Sequence, residues 1–467
     1  MSKNVTLGQI SNIITGPFGS QLHMSDYVDT GIPVIMPQDI VYGSVSMDNI
    51  AYIREVDYLR LLRYAVQPND IIFARRGDIE KHAFITESNQ LLCGTGCFRV
   101  RITDSKVYPI FLSYFLDRLE TKKWLTNHAV GSNMPNLNTD ILAAVPIKLP
   151  DYEEQIKIGD FLYNIDKKIK CNKKINDNLQ SQLKLMYDYW FTQFDFPDEN
   201  GKPYRSSGGA MVWNKQIKRK IPVNWCIGSI ANNSLLQIIK PGIEKFDEKI
   251  YLATADVVGT DIMTGSVVKY HNRENRANMQ PMVDSIWFAK MKNSVKHLYF
   301  NSTMKSIIDN VVLSTGFCGL QCSKLSFEYI ASFIEHSYFE TIKNILAHGA
   351  TQEAINNDDL YNIALVIPPN NVIQLYHERT KEIYAQISNN ICEIRKLTTL
   401  RDWLLPMLMN GQAKIKEHTP ETSVIQKLSV GFDKWLANQC FAARGDVDMD
   451  VLRDIYEAMD DDDKEQD

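Results

Sequence analysis

Apolar residues follow two different periods along this chain, and each period occurs in two places. Short runs rich in β-branched and aromatic residues, broken by Gly, Pro and Asn, predict strands; residues 70–74 and 285–289 are examples. A stretch with helical spacing accompanies the strands in each region. We therefore predict an α+β fold with two domains, the first head (residues 1–150) and the second head (residues 213–369).

A seven-residue period follows each head. After the first head the two apolar rows are Ile158, Ile165, Asn172, Leu179 and Met186, and Leu162, Ile169, Asn176, Leu183 and Trp190. After the second head they are Tyr376, Ile383, Asn390, Leu397 and Leu404, and Ile373, Thr380, Ile387, Ile394, Arg401 and Leu408. Rows at this spacing predict two long helices, at residues 151–194 and 370–412, that form a coiled-coil seam; in an antiparallel pair the middles of the two helices would face each other. With a rise of ~1.5 Å per residue, each helix would be on the order of 60 Å long.

Three asparagines interrupt these apolar rows. Asn172 and Asn390 lie near the middles of their helices, so we predict that they face each other and, with Asn176, fix the register of the pair. The alternative is that the asparagines line a stripe that faces solvent or a partner.

The heads also repeat each other in sequence, which predicts a pseudo-twofold internal repeat. Residues 129–150 are echoed 218 positions later by residues 347–368, with Gly131 matching Gly349. Small shifts extend the echo backwards and pair Thr95-Gly96 with Thr315-Gly316, Phe73-Ala74 with Phe288-Ala289, and Asp39-Ile40 with Asp256-Val257.

Two segments lie outside the repeated units. Residues 195–212 belong to a stretch rich in Gly, Pro and Ser, which predicts a linker. Residues 413–467 are predicted to be helical at first and then acidic. Residues 445–467 hold 11 acidic residues against Arg453 and Lys464, so the rest of the chain carries +4 although the whole chain carries −5. A mildly basic body is compatible with phosphate contacts but does not require them.

A polar loop in each head is the first candidate for contacts to DNA. The loops are residues 131–136 and 349–353, and Asn and Gln side chains can make bidentate contacts to adenine. The candidate residues in these loops are Ser132, Asn133, Asn136, Thr351 and Gln352. Such loops more often only cap helices or turn the chain.

Cations at matching strand ends are the second candidate. Arg75 and Arg76 follow one apolar strand, and Lys290 and Lys292 occupy the matching place in the second head. These side chains can neutralise phosphates or read guanine, although a solvated strand end remains the alternative.

Two further polar stretches carry weaker signals. Residues 16–21 add Ser20 and Gln21 as candidates for DNA contact, with a plain turn as the alternative. The lysine-rich residues 167–174 are interpreted as a solvated helix face.

Several chemistries lack the residues that they need. There is neither an Asn/Asp-Pro-Pro-aromatic loop for an adenine methyltransferase nor a Gly-x-x-x-x-Gly-Lys-Ser/Thr phosphate loop. A glycine loop that binds a cofactor should open a helix, but the residues after the Gly94 to Gly96 turn alternate like a strand, so this turn is rejected as a cofactor site. The spacings of Cys93 with Cys97 and of Cys318 with Cys322 match zinc sites only loosely, so we predict thiols and no metal site. No secretory or membrane-spanning pattern is present, so we predict a cytoplasmic protein that does not bind membranes.

The order head, helix, head, helix resembles the specificity subunit of type I restriction-modification enzymes. The resemblance covers about residues 4–412 and is carried by Ile221-Pro222-Val223-Asn224-Trp225, Tyr187-Asp188-Tyr189-Trp190-Phe191, Phe196-Pro197, Gly201-Lys202-Pro203-Tyr204, the two glycine loops with Asn138-x-Asp140 and Asn356-x-Asp358, and Pro150 with Glu153-Glu154-Gln155. The second half has Pro368-Pro369-Asn370-Asn371 where the first has this acidic pair.

The resemblance implies a role in complex assembly. Each head would be a target-recognition domain that reads one half of a bipartite site in double-stranded DNA. The helices would be spacers that pair as an antiparallel coiled coil and set the number of base pairs between the two halves. By position, the resemblance adds His348 to the candidate readers. Two methyltransferase subunits using S-adenosylmethionine, and restriction subunits using ATP and Mg, would join this chain, which itself would have no cofactor and no catalytic residues. The alternatives are a coiled-coil adaptor without DNA readout and a fused methyltransferase or nuclease.

Overall fold

The computed structural model describes residues 3–415, except residues 42, 88, 132–134, 264 and 351. The described chain forms two compact units. Of the described residues, one unit contains residues 3–167 and 400–415, and the other contains Lys168–Thr399. The predicted acidic tail lies outside the described residues.

The first head is built on two sheets. Its strands are β1 (Lys3–Thr6), β2 (Ser11–Thr15), β3 (Tyr27–Val28), β4 (Ile32–Ile35), β5 (Ile40–Val41), β6 (Ser44–Val45), β7 (Ala51–Ile53), β8 (Ala65–Val66), β9 (Ile71–Ala74), β10 (His82–Phe84), β11 (Leu91–Cys93), β12 (Cys97–Ile102) and β13 (Pro146–Leu149). Its helices are α1 (Leu7–Ile10), α2 (Glu55–Arg60), α3 (Pro109–Asp117), α4 (Leu119–His128) and α5 (Thr139–Ala143), and the long α6 (Tyr152–Tyr187) follows. The sheet orders are β10-β9-β12-β2 and β3-β7-β4-β11-β8, and β1 pairs with β13.

The second head repeats this topology. Its strands, after the hairpin β14 (Met211–Asn214) and β15 (Arg219–Pro222), are β16 (Cys226–Ser229), β17 (Leu236–Ile238), β18 (Lys249–Leu252), β19 (Val257–Val258), β20 (Asp261–Ile262), β21 (Ser266–Val268), β22 (Ala277–Met279), β23 (Ser285–Ala289), β24 (His297–Phe300), β25 (Val311–Ser314), β26 (Phe317–Cys322) and β27 (Ala364–Ile367). Its helices are α7 (Lys305–Asn310), α8 (Phe327–Glu335) and α9 (Ser337–Leu346), followed by the long α10 (Asn370–Asn410). The sheet order β24-β23-β26-β17 matches β10-β9-β12-β2 of the first head strand by strand, and β21-β18-β25-β22 matches β7-β4-β11-β8, which is the five-stranded sheet of the first head without β3. The predicted α+β fold with an internal repeat is therefore confirmed.

The repeat extends to single turns. The Asp39 carboxylate accepts a hydrogen bond of 2.7 Å from the backbone N–H of Met36, and Asp256 accepts one of the same length from Ala253. Both turns lead into a short strand, β5 or β19. The predicted pairing of Asp39 with Asp256 therefore corresponds to one shared turn geometry.

The segments of α6 and α10 that belong to the unit Lys168–Thr399 run antiparallel, and those of the other unit are in contact. In the unit containing Lys168–Thr399, Asn390 Nδ2 donates to Asn176 Oδ1 at 2.8 Å, and Asn172 Nδ2 donates to Glu393 Oε2 at 2.6 Å. In the other unit, Arg401 Nη1 donates to Asp166 Oδ1 at 2.6 Å. Most of the predicted apolar rows are buried, so the periodicity located both helices correctly.

The predicted contact between Asn172 and Asn390 is wrong. Asn172 lies opposite Glu393, and Asn176, one turn later on α6, lies opposite Asn390, about one turn earlier on α10. Asn390 therefore pairs with Asn176 and not with Asn172. The apolar pattern repeats at every turn, and it therefore leaves the alignment of the two helices open by whole turns.

The buried asparagine pair provides a direct test of this register. Replacing Asn390 with leucine should lower the free energy of unfolding by about 1–3 kcal/mol, because the amide of Asn176 would stay buried without its partner. Replacing both asparagines with leucine should restore most of that loss, which a double-mutant cycle in urea would show. If Asn172→Leu rather than Asn176→Leu compensated for Asn390→Leu, the register described above would be incorrect.

The predicted linker is folded rather than extended. Phe194, Phe196 and Trp225 belong to the main core cluster, and the Phe196 and Trp225 rings stack with centroids 5.0 Å apart. Asp195 also accepts hydrogen bonds from the backbone N–H and the hydroxyl of Ser206. The Gly, Pro and Ser content of this segment thus forms tight turns around a small aromatic core.

Neither the long helices nor the short ones of the described chain contain a segment apolar enough to span a bilayer.

Candidate nucleic-acid interface

The candidate site of the first head lies where β9 ends. The backbone N–H of Arg75 donates to Gly96 O at 2.8 Å, and Arg75 O accepts from the N–H of Leu137 at 3.0 Å. Bridges join Asn136 to Arg76 and to Val130. The structure therefore brings the predicted cationic pair and the predicted polar loop together at the edge of the sheet where strand β9 ends.

The Arg75 side chain is half-buried between two aromatic rings. Its guanidinium carbon lies 5.6 Å from the centre of the Phe18 ring and 6.0 Å from that of Phe98. Burial lowers the pKa of Arg75, and the charge of Arg76 lowers it further. Such stacking holds the planar guanidinium in one orientation and leaves its N–H groups free to point elsewhere.

Two buried polar atoms at this edge have no hydrogen-bond partner among the described residues, namely Arg75 Nε and Asn136 Oδ1. A buried donor or acceptor without a partner is costly, so such atoms are usually satisfied by water or by a ligand. One atom is a donor and the other an acceptor, and base edges present both kinds of partner.

Residues 16–21 reach the same edge. Thr95 Oγ1 donates to Pro17 O at 2.8 Å, which ties this loop to the turn that also binds Arg75. Gln21 is partly used within the fold, because its Oε1 accepts from Tyr64 at 2.7 Å. Ser20 is exposed, and Phe18 is 54% exposed. Phe18 was not among the predicted contact residues, although an aromatic side chain between two glycines and beside Ser20 was a usable signal.

The second head positions its cations through the same backbone bonds. The N–H of Lys290 donates to Gly316 O at 3.0 Å, and Lys290 O accepts from Ile355 N at 3.0 Å. Bridges join Ala354 to Met291 and to His348. Lys290 therefore occupies the place of Arg75, and residues 348–354 occupy that of residues 130–136.

The candidate side chains of the second head differ in whether they are exposed or already paired within the protein. Lys292 forms an ion pair of 2.8 Å with Glu353, whereas Gln352 is exposed. His348 is 61% exposed and lies 3.6 Å from Asp359. Gly349 has a φ of 138°, and a Cβ there would lie 2.5 Å from Gln352 O, so the tight loop requires glycine at this position.

Some predicted residues cannot be placed. Ser132, Asn133 and Thr351 lie outside the described residues. In the lysine-rich stretch, Lys168 pairs with Glu393 at 3.3 Å and Lys173 with Asp261 at 2.8 Å, so part of this helix face is used within the protein.

The cysteine pairs are buried thiols. Burial raises the pKa of Cys93 and of Cys318 to about 12, which opposes the thiolate form that a metal would need. Within the described parts of the chain, no group of three or more His, Cys, Asp or Glu side chains is arranged to hold a metal ion.

Comparison with known proteins gives consistent similarities. Residues 2–181 match the family model described as type I restriction modification DNA specificity domain. The type I restriction enzyme MjaIX specificity subunit of Methanocaldococcus jannaschii is 24% identical over 328 residues, which cover 68% of this chain and 72% of that protein. The HindI specificity subunit of Haemophilus influenzae is 19% identical over 470 residues, which cover 88% and 99%. In fold, the chain is similar to the crystal structure of the type I restriction-modification system S subunit from M. genitalium, with a TM-score of 0.50, 11% identity, and coverage of 87% of this chain and 96% of that one.

Proposed function

We propose that this chain, which belongs to the family of type I restriction-modification specificity subunits, reads a two-part DNA sequence and directs partner subunits to it. Each head reads one part of the sequence in double-stranded DNA. The long helices determine how many base pairs separate the two parts. The observation that carries this proposal is the same pair of loops, one cationic and one polar, at the same edge of both heads.

Differences between the heads support the two-part readout. At equivalent backbone positions the first head carries Arg75 and Asn136, whereas the second carries Lys290 and Ala354. Arginine can make two hydrogen bonds to guanine and asparagine can make two to adenine, whereas lysine reads guanine through a compact ammonium group and alanine offers only a methyl group. Heads with the same frame and different side chains would read different bases.

The chemistry of modification and cleavage belongs to partners in this proposal. Two methyltransferase subunits supply S-adenosylmethionine chemistry, and restriction subunits supply ATP- and Mg-dependent cleavage. This chain contributes recognition and assembly, holds no cofactor and acts in the cytoplasm. Support comes from its sequence, which lacks the methyltransferase and phosphate loops described above.

The decisive experiment selects duplexes from a random pool with the full chain and its methyltransferase subunits. Enrichment of two short sequences at a fixed separation is the expected result. Recovery of no preferred sequence would favour an adaptor that only assembles proteins. Stoichiometric binding of S-adenosylmethionine by the chain alone would favour a fused methyltransferase.

Replacing Arg75 with alanine should relax the readout of one half-site only. The loss of a bidentate contact is expected to reduce discrimination there by about 1–3 kcal/mol, roughly tenfold or more in affinity ratio. Binding measured with duplexes mutated in either half would show this effect. Lys290→Ala is the matched control and should affect the other half; equal losses in both halves would contradict separate readout.

A further inference from the structure

In the second head, a fully buried lysine donates hydrogen bonds to the backbone of the loop that carries Lys290 and Lys292. Lys343, on α9, is 0% exposed, and its Nζ donates to Ala289 O at 3.2 Å and to Ser294 O at 2.9 Å. These two carbonyls flank residues 290–293, the part of the loop that carries Lys290 and Lys292. The next residue on α9, Asn344, accepts a hydrogen bond of 2.8 Å from the backbone N–H of Asn293. One turn of α9 therefore binds the loop at both of its ends.

The charge of Lys343 is balanced inside the head. Its Nζ lies 2.7 Å from Glu340, and Glu340 accepts a hydrogen bond of 3.0 Å from His297 Nε2. His297 Nδ1 in turn donates to Glu335 at 3.1 Å. Lysine and histidine thus alternate with two carboxylates, and this chain of bonds keeps the buried ammonium group hydrogen-bonded and paired.

The first head has apolar side chains at the positions equivalent to Ser294 and Lys343. Its equivalent loop has the same length, because the N–H of Ala74 donates to Lys81 O at 3.0 Å as the N–H of Ala289 donates to Lys296 O. The position equivalent to Ser294 holds Ile79, which is 2% exposed. The position equivalent to Lys343 lies on α4 and holds Leu125, which is 0% exposed. The first head therefore has two buried apolar residues where the second head has a serine and a buried lysine.

We propose that Lys343 is a positioning residue for DNA recognition by the second head, an inference that rests on the proposed function. An apolar residue would be the ordinary choice at a buried helix position, and a lysine there requires partners in a fixed geometry. The geometry that satisfies Lys343 is the one that fixes the carbonyls of Ala289 and Ser294. Lys343 therefore sets where Lys290 meets the DNA without contacting the DNA itself.

The test uses the full chain with its methyltransferase subunits and the duplex enriched in the selection described above. Affinity is compared with two duplexes, each scrambled in one half-site. For Lys343→Leu, the penalty for scrambling the second head's half should fall about tenfold, the size expected for one misplaced base contact, while the penalty for the other half stays within about twofold. Hydrogen exchange of the amides in residues 290–294 should become faster in this variant.

A double variant separates positioning from simple loss of folding. Ser294→Ile with Lys343→Leu transfers the apolar pair of the first head, and it should recover discrimination and slow exchange in the loop. Leu125→Met, a change that conserves volume in the first head, is the matched control and should leave both penalties unchanged. Unchanged discrimination in folded Lys343→Leu, equal loss in both halves, or a double variant no better than the single one would overturn the inference. A wild-type chain that ignores both half-sites would overturn the proposed function, and this inference with it.

Discussion

Replacement of Phe194 by alanine is expected to lower the free energy of unfolding by about 3–5 kcal/mol, the range for a fully buried phenylalanine. Phe194 is 0% exposed, its ring meets that of Trp225 edge-on at 5.4 Å, and the guanidinium carbon of Arg219 lies 4.7 Å from its centre. The residue also has a φ of 64°, a conformation that bulky side chains rarely adopt. Burial of the ring offsets that strain, so its removal should be costly.

The measurement is chemical denaturation of the full chain, followed by tryptophan fluorescence and by circular dichroism. Trp213→Ala is the matched control, because Trp213 lies in the neighbouring hairpin β14–β15 and is 58% exposed. Its loss should change stability by no more than about 0.5 kcal/mol. Similar small effects for both variants would mean that residues 194–225 behave as the linker that their composition predicts.

This segment shows where reasoning from sequence stops. Gly, Pro and Ser identify turns, but they do not say whether the turns surround a core. Phe194, Phe196 and Trp225 were the contrary signal, since aromatic residues bury large areas. Which of them would meet depends on a fold of about thirty residues that no local pattern encodes.

The helices illustrate the same division between local and tertiary information. Burial along α6 and α10 follows the seven-residue period, because that period is a property of one helix at a time. The partner of Asn390 depends on the alignment of two helices, which contacts elsewhere in the fold determine. The seven-residue period therefore predicted the helices, but the predicted partner of Asn390 was Asn172, one turn away from Asn176, its actual partner.

The residues of the candidate interface that occupy matching places in both heads could be predicted from the sequence. Arg75 and Lys290 were found because both follow a buried strand in matching segments, and the structure gives them the same backbone partners. Lys343 was not found, since a lysine in an amphipathic helix ordinarily faces solvent. Comparing it with Leu125 in the other copy was the signal that could have identified it as buried.

The second head is expected to lose stability as the pH rises towards 9, through His297. Burial opposes the charged form, but hydrogen bonds and charges from Glu335 and Glu340 outweigh it and raise the pKa of His297 to about 9. A pKa raised above the ordinary 6.5 gives stability that is complete below pH 6.5 and is lost as the pH passes through about 9. The shift corresponds to about 3 kcal/mol at about 1.4 kcal/mol per pKa unit. The same contacts lower the pKa of both glutamates against the effect of burial, so their contribution is lost in acid instead.

The measurement compares wild type with His297→Gln by denaturation at pH 6 and pH 9.5, where the stability difference should shrink by about 3 kcal/mol. His82, at the equivalent place in the first head, is the matched control, because its Nε2 lies 3.1 Å from Ser113 O and burial lowers its pKa. Its contribution should therefore be unchanged in alkali and decrease below pH 6.5, the opposite sign. A stability difference for His297→Gln that stays constant from pH 6 to pH 9.5 would mean that His297 is not charged in the folded head. Lys343 would then be the sole cation between the carboxylates, and the network would fix the loop with one charge fewer than proposed.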